Sequence, residues 1–556
     1  MQNLKLADMP AALIKFPFRL NLKLMKRQFL WILALCISIS ALAQDPAAQK
    51  FAKQINARDA KKHLSILASD EFEGRETGKP GADKAAKYIA GQFKKIGLKA
   101  PVNGTYFQDI ALIETSLEVT SFKLNNTDFT YGKDFYFSGA PSTKTIDVNE
   151  FVFIGYGIDS ENYSDFKDIQ ISGKVVLFIN NGEPLKNGIS AITKSSEISD
   201  WSRGRKRLQY IQSKNPSLII AVNPDVAGIL EKNGEYFKSA GGRLSLKKDK
   251  NAEFNTLAPI INIPVSVADL FLKSTGRNYE ALKSAIDNSS EPKTQIVQVN
   301  FSTSFAQVRK NVKAVNVLGY LEGTDLKDEI LVFSAHYDHI GLTSSGTDKV
   351  NNGADDDGSG TTAVIKIARA FAKAKKAGKG PRRSILFLTF AGEEKGLLGS
   401  EWYSNNPVFP LANTIANLNI DMIGRIGNEY KTNPDSVNYC YLIGSDKISA
   451  DLHKISENAN SVYTKMKIDY KYNDPADPER IYYRSDHYNF AKHGIPIIFY
   501  FNGVHEDYHK PGDEVSKINF PLLTKRAQLV YYTGWDLANR DKRPQVTVKN
   551  DMPASR

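Results

Sequence analysis

Between Leu331 and Asp421 the chain gathers side chains that seek metal ions, each set at the end of a short apolar run. His336 and Asp338 follow Leu331, Val332 and Phe333 in SAHYDHIG (residues 334–341). Two apart on a strand end, their side chains point to the same side. That suits a metal-ligating imidazole with a carboxylate fixing its other nitrogen. Asp355, Asp356 and Asp357 stand between glycines in NNGADDDGSG (residues 351–360), just before a helical stretch at Thr361 to Lys375. Adjacent carboxylates repel one another unless cations hold them, although a helix N-terminus alone also favours acidic residues. Glu393 and Glu394 follow the apolar run Ile385 to Phe390. Neighbours at a strand end diverge, so one can bind metal while the other faces substrate as general base. Asp421 ends the run Ile415 to Ile420, where an unpaired buried charge is costly. His509 lies in a Tyr-His-Lys-Pro-Gly-Asp loop, residues 508–513. Singly, each has a plain structural reading: a core or surface histidine, an acidic helix start, a polar loop. Together, two histidines and three carboxylates suit zinc or a similar borderline cation. With one carboxylate bridging, they suit two ions ~3.5 to 4 Å apart.

Apolar runs of this length, alternating with helix-like stretches, read as parallel strands of an α/β sheet. Such sheets place their sites at the carboxyl ends of the strands. Three strand ends therefore deliver a histidine and several carboxylates to one sheet edge. Ala60 to Leu67 and Ala82 to Ile96 have helical periodicity and flank SDEFEGRETGKPG (residues 69–81), a loop rich in glycine and charge. From about residue 115 to 305 the texture changes to short alternating runs with turn signals, interrupted by one helix-like stretch at Trp201 to Ser213. The α/β pattern then resumes to the end: a helix over 484–494, a strand over 495–501 and a last helix from about Phe520 to Asn539.

The 556 residues are too many for one ordinary domain. Hydrophobic residues at 42% and charged residues at 24% are ordinary for a soluble globular chain. The net charge of +12 falls to 67 basic against 60 acidic residues once the first 43 are set aside. No arginine-rich block with interleaved aromatics points to nucleic acid. Lys26 and Arg27, the apolar Phe29 to Leu42 and Ala41-Leu42-Ala43 form the n-region, h-region and cleavage site of a signal peptide. Met25 is an alternative start, since the residues before it add nothing to the signal. The protein is therefore expected to be exported, periplasmic or extracellular, with no membrane anchor after cleavage. Signal removal leaves Cys440 as a single cysteine, which excludes an intrachain disulfide.

The order H-x-D, D-D-G-S-G, G-E-E-x-G-x-x-G-S, N-x-D-M-I-G and Y-H-x-x-x-D resembles the M28 family of cocatalytic zinc aminopeptidases, over roughly residues 58–112 and 306–540. Val152 to Pro184, with a G-Y-G strand end and a later G-K-V-V-L strand, resembles the protease-associated domain. The resemblance implies a mixed, mostly parallel sheet flanked by helices, the zinc exopeptidase fold, with a β-rich protease-associated insertion. Divided so, residues 1–43 are the signal, 44–114 the first part of the peptidase domain, 115–305 the insertion, 306–540 the main peptidase part and 541–556 a flexible tail.

The resemblance also implies two zinc ions per chain. His336 and Asp421 would hold one and Glu394 and His509 the other, with Asp356 bridging and a strained peptide bond before Asp357. It makes Glu393 the general base, Asp338 the partner of His336, Tyr508 an oxyanion donor and Arg484 a substrate-positioning group. The expected activity is removal of N-terminal residues from peptide or protein substrates. The alternatives are a carboxypeptidase, dipeptidase or glutaminyl cyclase of the same fold, or a non-catalytic peptide-binding protein.

Overall fold

A computed structural model describes residues 44–239, 242–247, 257–432 and 437–552. The expected signal, residues 1–43, lies outside them. No helix among the described residues is long and apolar enough to cross a membrane.

The described residues build one 15-stranded mixed sheet. In the half that carries the motifs, the strands run in the order Lys467–Asp469, Tyr439–Ile443, Ile497–Phe501, Thr414–Ile420, Leu326–His336, Arg383–Phe390 and Gln295–Leu321. The four central ones, from Ile497–Phe501 to Arg383–Phe390, are parallel. Their residues are almost all buried, which is why they read as continuous apolar runs rather than alternating ones. Strand periodicity divides these side chains between two cores. Leu331, Phe333 and Ala335 join one with helices Ala57–Leu67, Gly358–Lys376 and Phe520–Asn539. Ile330 and Val332 join the other with Tyr403 and Phe490. The helix Gly358–Lys376 starts at Asp357, whose side chain accepts from Gly360 N–H, and ends on Lys373, Lys375 and Lys376. Both ends suit the helix dipole.

The segment expected as an insertion is not joined by linkers. The strands Phe107–Leu124 and Gln295–Leu321 pair antiparallel along almost the whole of the first, so the expected boundaries at 115 and 305 fall inside strands. Nor is the insertion simply β-rich. Parallel strands Lys144–Phe153, Val175–Ile179, Leu218–Val222 and Ile260–Ile263 are accompanied by helices Gly204–Ser213, Val226–Ser239, Val265–Leu272 and Tyr279–Ser289. Short helices such as Val265–Leu272 are apolar enough to read as strands without their tertiary context.

The tail is also better held than expected. Asn550 donates to the Tyr482 hydroxyl at 2.9 Å, Asp551 pairs with Lys447 at 3.0 Å, and Met552 is buried. Its polar composition hid these anchors. The helix expected over 484–494 is confined to His487–Ala491.

Candidate active site

The motif residues meet at the carboxyl ends of the parallel strands. His336 closes Leu326–His336, Glu393 and Glu394 follow Arg383–Phe390, and Asp421 follows Thr414–Ile420. Asp356 stands between two imidazoles. Its Oδ1 is 3.3 Å from His336 Nε2 and its Oδ2 is 3.2 Å from His509 Nε2. On the first side Asp421 Oδ1 is 3.5 Å from His336 Nε2, and on the second Glu394 Oε2 is 3.0 Å from His509 Nε2. Glu393 Oε2 lies 3.9 Å from His336 Nε2, facing the first group. The expected ligand set is thus drawn into two adjoining clusters that share Asp356. His336 Nε2 and Asp356 Oδ2 are buried and make no hydrogen bond. Orphaned ligand atoms converging from nitrogen and oxygen donors are what a zinc-type cation would satisfy, so the residues fit the implied ions.

The three aspartates do different work. Asp357 accepts the N–H groups of Gly360, Met422 and His336, while Asp355 accepts from Gly424 N–H and the Ser359 hydroxyl. Those two knit the loop; Asp356 alone of the three lies between His336 and His509. The Asp356–Asp357 peptide is cis. Asp513 accepts the N–H groups of Asp355 and Asp356, both at 3.0 Å, and so holds the loop from behind. Ser485 donates to Asp421 Oδ2 at 2.7 Å, leaving Oδ1 toward His336.

Asp338 differs from expectation. His336 Nδ1 is 3.1 Å from the Asp338 backbone carbonyl and 3.7 Å from its carboxylate. The longer separation is not a hydrogen bond. The carboxylate instead accepts from Glu393 N–H at 3.2 Å and from the Thr77 hydroxyl at 2.8 Å. It therefore positions the turn bearing Glu393, while the main chain orients His336.

Burial pushes the Glu393 carboxyl well above the usual range, helped by the charges of Glu394 and Asp421 and opposed by His336. For Asp356 burial also pushes upward, but the adjacent imidazoles of His336, His509 and His339 outweigh it and hold the group well below. Neighbouring carboxylates at one site are thus driven in opposite directions, the pattern expected where one holds a proton and another binds cations. Burial likewise raises the Tyr508 phenol, keeping it a proton donor. Its ring stacks on His509 with centroids 3.9 Å apart, and Arg484 Nη2 donates to its hydroxyl at 3.1 Å.

Three functional neighbours went unforeseen. His339 Nδ1 is 2.8 Å from Glu394 Oε1, orienting that carboxylate. Its place three residues after His336 at the same strand end is the signal that could have found it. Arg75 and Thr77 come from the glycine- and charge-rich loop that had no assigned role. Buried Arg75 donates to the carbonyls of Leu67, Tyr337, Asn352 and Gly353. Gly74, at φ 63°, lies so close that a Cβ would come within 2.5 Å of the Asn351 carbonyl, so that loop requires glycine.

Residues 316–534 match the family model described as peptidase family M28. That stretch of the chain is similar to peptidase family M28. Outside it, the described residues before 316 supply Arg75 and Thr77. A probable zinc metalloprotease of Pyrenophora tritici-repentis is 27% identical over 271 residues, covering 42% of this chain and 59% of the relative. Aminopeptidase YwaD of Bacillus subtilis is 25% identical over 252 residues, 44% of this chain and 49% of the relative. The chain spans about half the length of these curated relatives. Among solved structures, the aminopeptidase from Aneurinibacillus sp. strain AM-1 aligns over 92% of this chain and 100% of its own, with TM-score 0.49 and 18% identity.

Proposed function

We propose that this protein is an exported di-zinc aminopeptidase, the reading carried by Asp356 lying between two histidine–carboxylate clusters with Glu393 facing one of them. His336, Asp421 and Asp356 would hold one ion, and Asp356, Glu394 and His509 the other. Bound there, the ions would supply Lewis acidity, acidifying a water and polarising a carbonyl. The chain's own groups do the rest. Glu393, with its proton affinity raised by burial, takes the proton of the attacking water and returns it to the leaving amine. The Tyr508 hydroxyl donates to the oxygen on which charge develops. Asp338 and Thr77 hold the Glu393 turn through the Asp338 carboxylate.

The space beside Glu393 is small. A narrow cavity of about 30 Å³ touches Asp356, Glu393 and Asp421 and is walled by apolar side chains such as Met422 and Phe499 together with Arg484 and Tyr508. A space of that size admits about one water-sized group, and its apolar walls favour a small apolar end of the substrate. The acidic floor attracts a protonated terminal amine. We read the inserted segment as a protease-associated module, and export on the apolar stretch Phe29 to Leu42 with its basic lead.

Metal content and chelation test this reading. The purified chain should hold two equivalents of zinc and lose hydrolysis of a leucine amide on chelation, with return on adding zinc. One equivalent, or hydrolysis indifferent to chelation, would count against it.

A further inference from the structure

His505 stands four residues before His509 in the same loop. Its side chain is buried, and neither ring nitrogen has a hydrogen-bond partner among the described residues. The ring faces the aspartate segment. Its Nε2 is 3.4 Å from Asp355 Oδ2 and 3.9 Å from Asp513 Oδ1, two buried carboxylate oxygens that are likewise without a hydrogen bond. We propose that His505 is a positioning residue: with Asp513 it straps the loop bearing Tyr508 and His509 onto the segment bearing Asp356, and so fixes the Glu394–His509 side of the site, a role that rests on the di-zinc reading.

The strap has two ends. At one, Asp513 takes three successive amides of the aspartate segment. Its carbonyl accepts from Ala354 N–H at 2.9 Å, and its Oδ2 accepts from Asp355 and Asp356 N–H at 3.0 Å each. At the other end His505 lies against Asp355. Between them the loop closes on itself: Tyr508 N–H donates to the His505 carbonyl at 3.1 Å, and Asp513 N–H to the Lys510 carbonyl at 3.1 Å. His509 sits in the middle of this span at φ 56°. A residue with a β-carbon stays in that left-handed region where the surrounding structure over-determines it. The His509 side chain is 36% exposed, so packing around its ring is a weak constraint, whereas the anchors at 505 and 513 are buried.

Two carboxylate oxygens within 4 Å favour the tautomer of His505 with its proton on Nε2. Away from water the attraction between such a donor and a carboxylate is stronger than at the surface. Arg425 braces the set from outside. Its Nη1 is 3.7 Å from Asp513 Oδ1, and its Nη2 donates to Asp507 Oδ2, in the same loop, at 2.9 Å.

The test compares the full chain with His505→Gln, whose amide nitrogen reaches the place of Nε2, and with His505→Asn, whose amide falls short of Asp355. Amide hydrogen exchange over residues 354–356 should be slow in the unaltered chain even before zinc is added, because the strap is made by the chain itself. Free exchange there would overturn it, whether or not a variant folds. In His505→Asn these amides should exchange about 10-fold faster. In a chelator competition one zinc should weaken by about 10-fold and the other should hold. On leucine amide kcat should fall with KM unchanged, since Tyr508 donates only as the transition state forms. In His505→Gln all three readouts should return to within about twofold of the unaltered chain. Equal effects of the two substitutions, unchanged exchange and zinc affinity in His505→Asn, or equal weakening of both zinc ions would overturn the strap and leave the aminopeptidase standing. An unaltered chain that binds fewer than two zinc ions would remove the di-zinc reading and this role of His505 together.

Discussion

Thr77 donates its hydroxyl to Asp338 Oδ2 at 2.8 Å and accepts the Gly392 N–H at 2.9 Å. One buried hydroxyl from the N-terminal segment thus joins the carboxylate below His336 to the turn that presents Glu393. Thr77→Val keeps the shape but leaves a buried oxygen and a buried N–H without partners. Its kcat should fall about 10- to 100-fold, the usual effect of losing an outer partner of a metal site. Thr77→Ser should restore most of it. Steady-state kinetics with zinc content measured in parallel would check this, and an unchanged kcat in Thr77→Val would refute the positioning role.

Glu393→Gln removes the proton acceptor and keeps the side-chain volume. Hydrolysis should drop by about 10²- to 10⁴-fold, with zinc still bound because the set centred on Asp356 is intact. Loss of zinc in the variant would instead make Glu393 a ligand, a role its position 3.9 Å from His336 Nε2 makes worth testing.

His339 orients Glu394 through a 2.8 Å contact. In His339→Ala the Glu394 carboxylate loses that restraint, and affinity at the Glu394–His509 side should weaken by about 10- to 100-fold. Competition with a chromophoric chelator should resolve one weakened and one unchanged zinc. Two unchanged affinities would leave His339 a packing residue.

The distribution of what could be read from sequence follows from these contacts. His336, Asp356, Glu394, Asp421 and His509 stood out because each closes an apolar run or a glycine turn with a residue type that rarely lies unpaired there. Thr77 and His339 did not, because their roles depend on partners 261 and 55 residues away in the chain. Asp338 was assigned to the right neighbourhood and the wrong bond, since spacing cannot distinguish a carboxylate from the carbonyl of the same residue. In the insertion, the parallel strands were visible as apolar runs, whereas the helices between them, such as Tyr279–Ser289, were hidden by short length and mixed periodicity.

His487 offers a test of the folded core. Its ring is fully buried against Phe499, with Nε2 2.8 Å from the Tyr482 carbonyl. Burial lowers its pKa to about 3. The unfolded chain takes up a proton near the ordinary histidine pKa of about 6.5, and the folded chain refuses it until far lower pH. Stability is therefore full above about pH 6.5 and declines as pH falls toward 3. From about pH 7.5 to 5 the loss due to this group is about 2 kcal/mol. His487→Gln, less stable at neutral pH, should lose about that much less over the same interval. Denaturant unfolding of both proteins at the two pH values would show it, and parallel losses would mean that His487 is already charged in the fold.

The central claim is most directly tested on one short peptide, presented with a free and with an acetylated N-terminus, in zinc and after chelation, with products read by mass spectrometry. Stepwise loss of residues from the free N-terminus, abolished by acetylation and by chelation, is the predicted result. Cleavage of the acetylated peptide, or shortening from the other end, would contradict it.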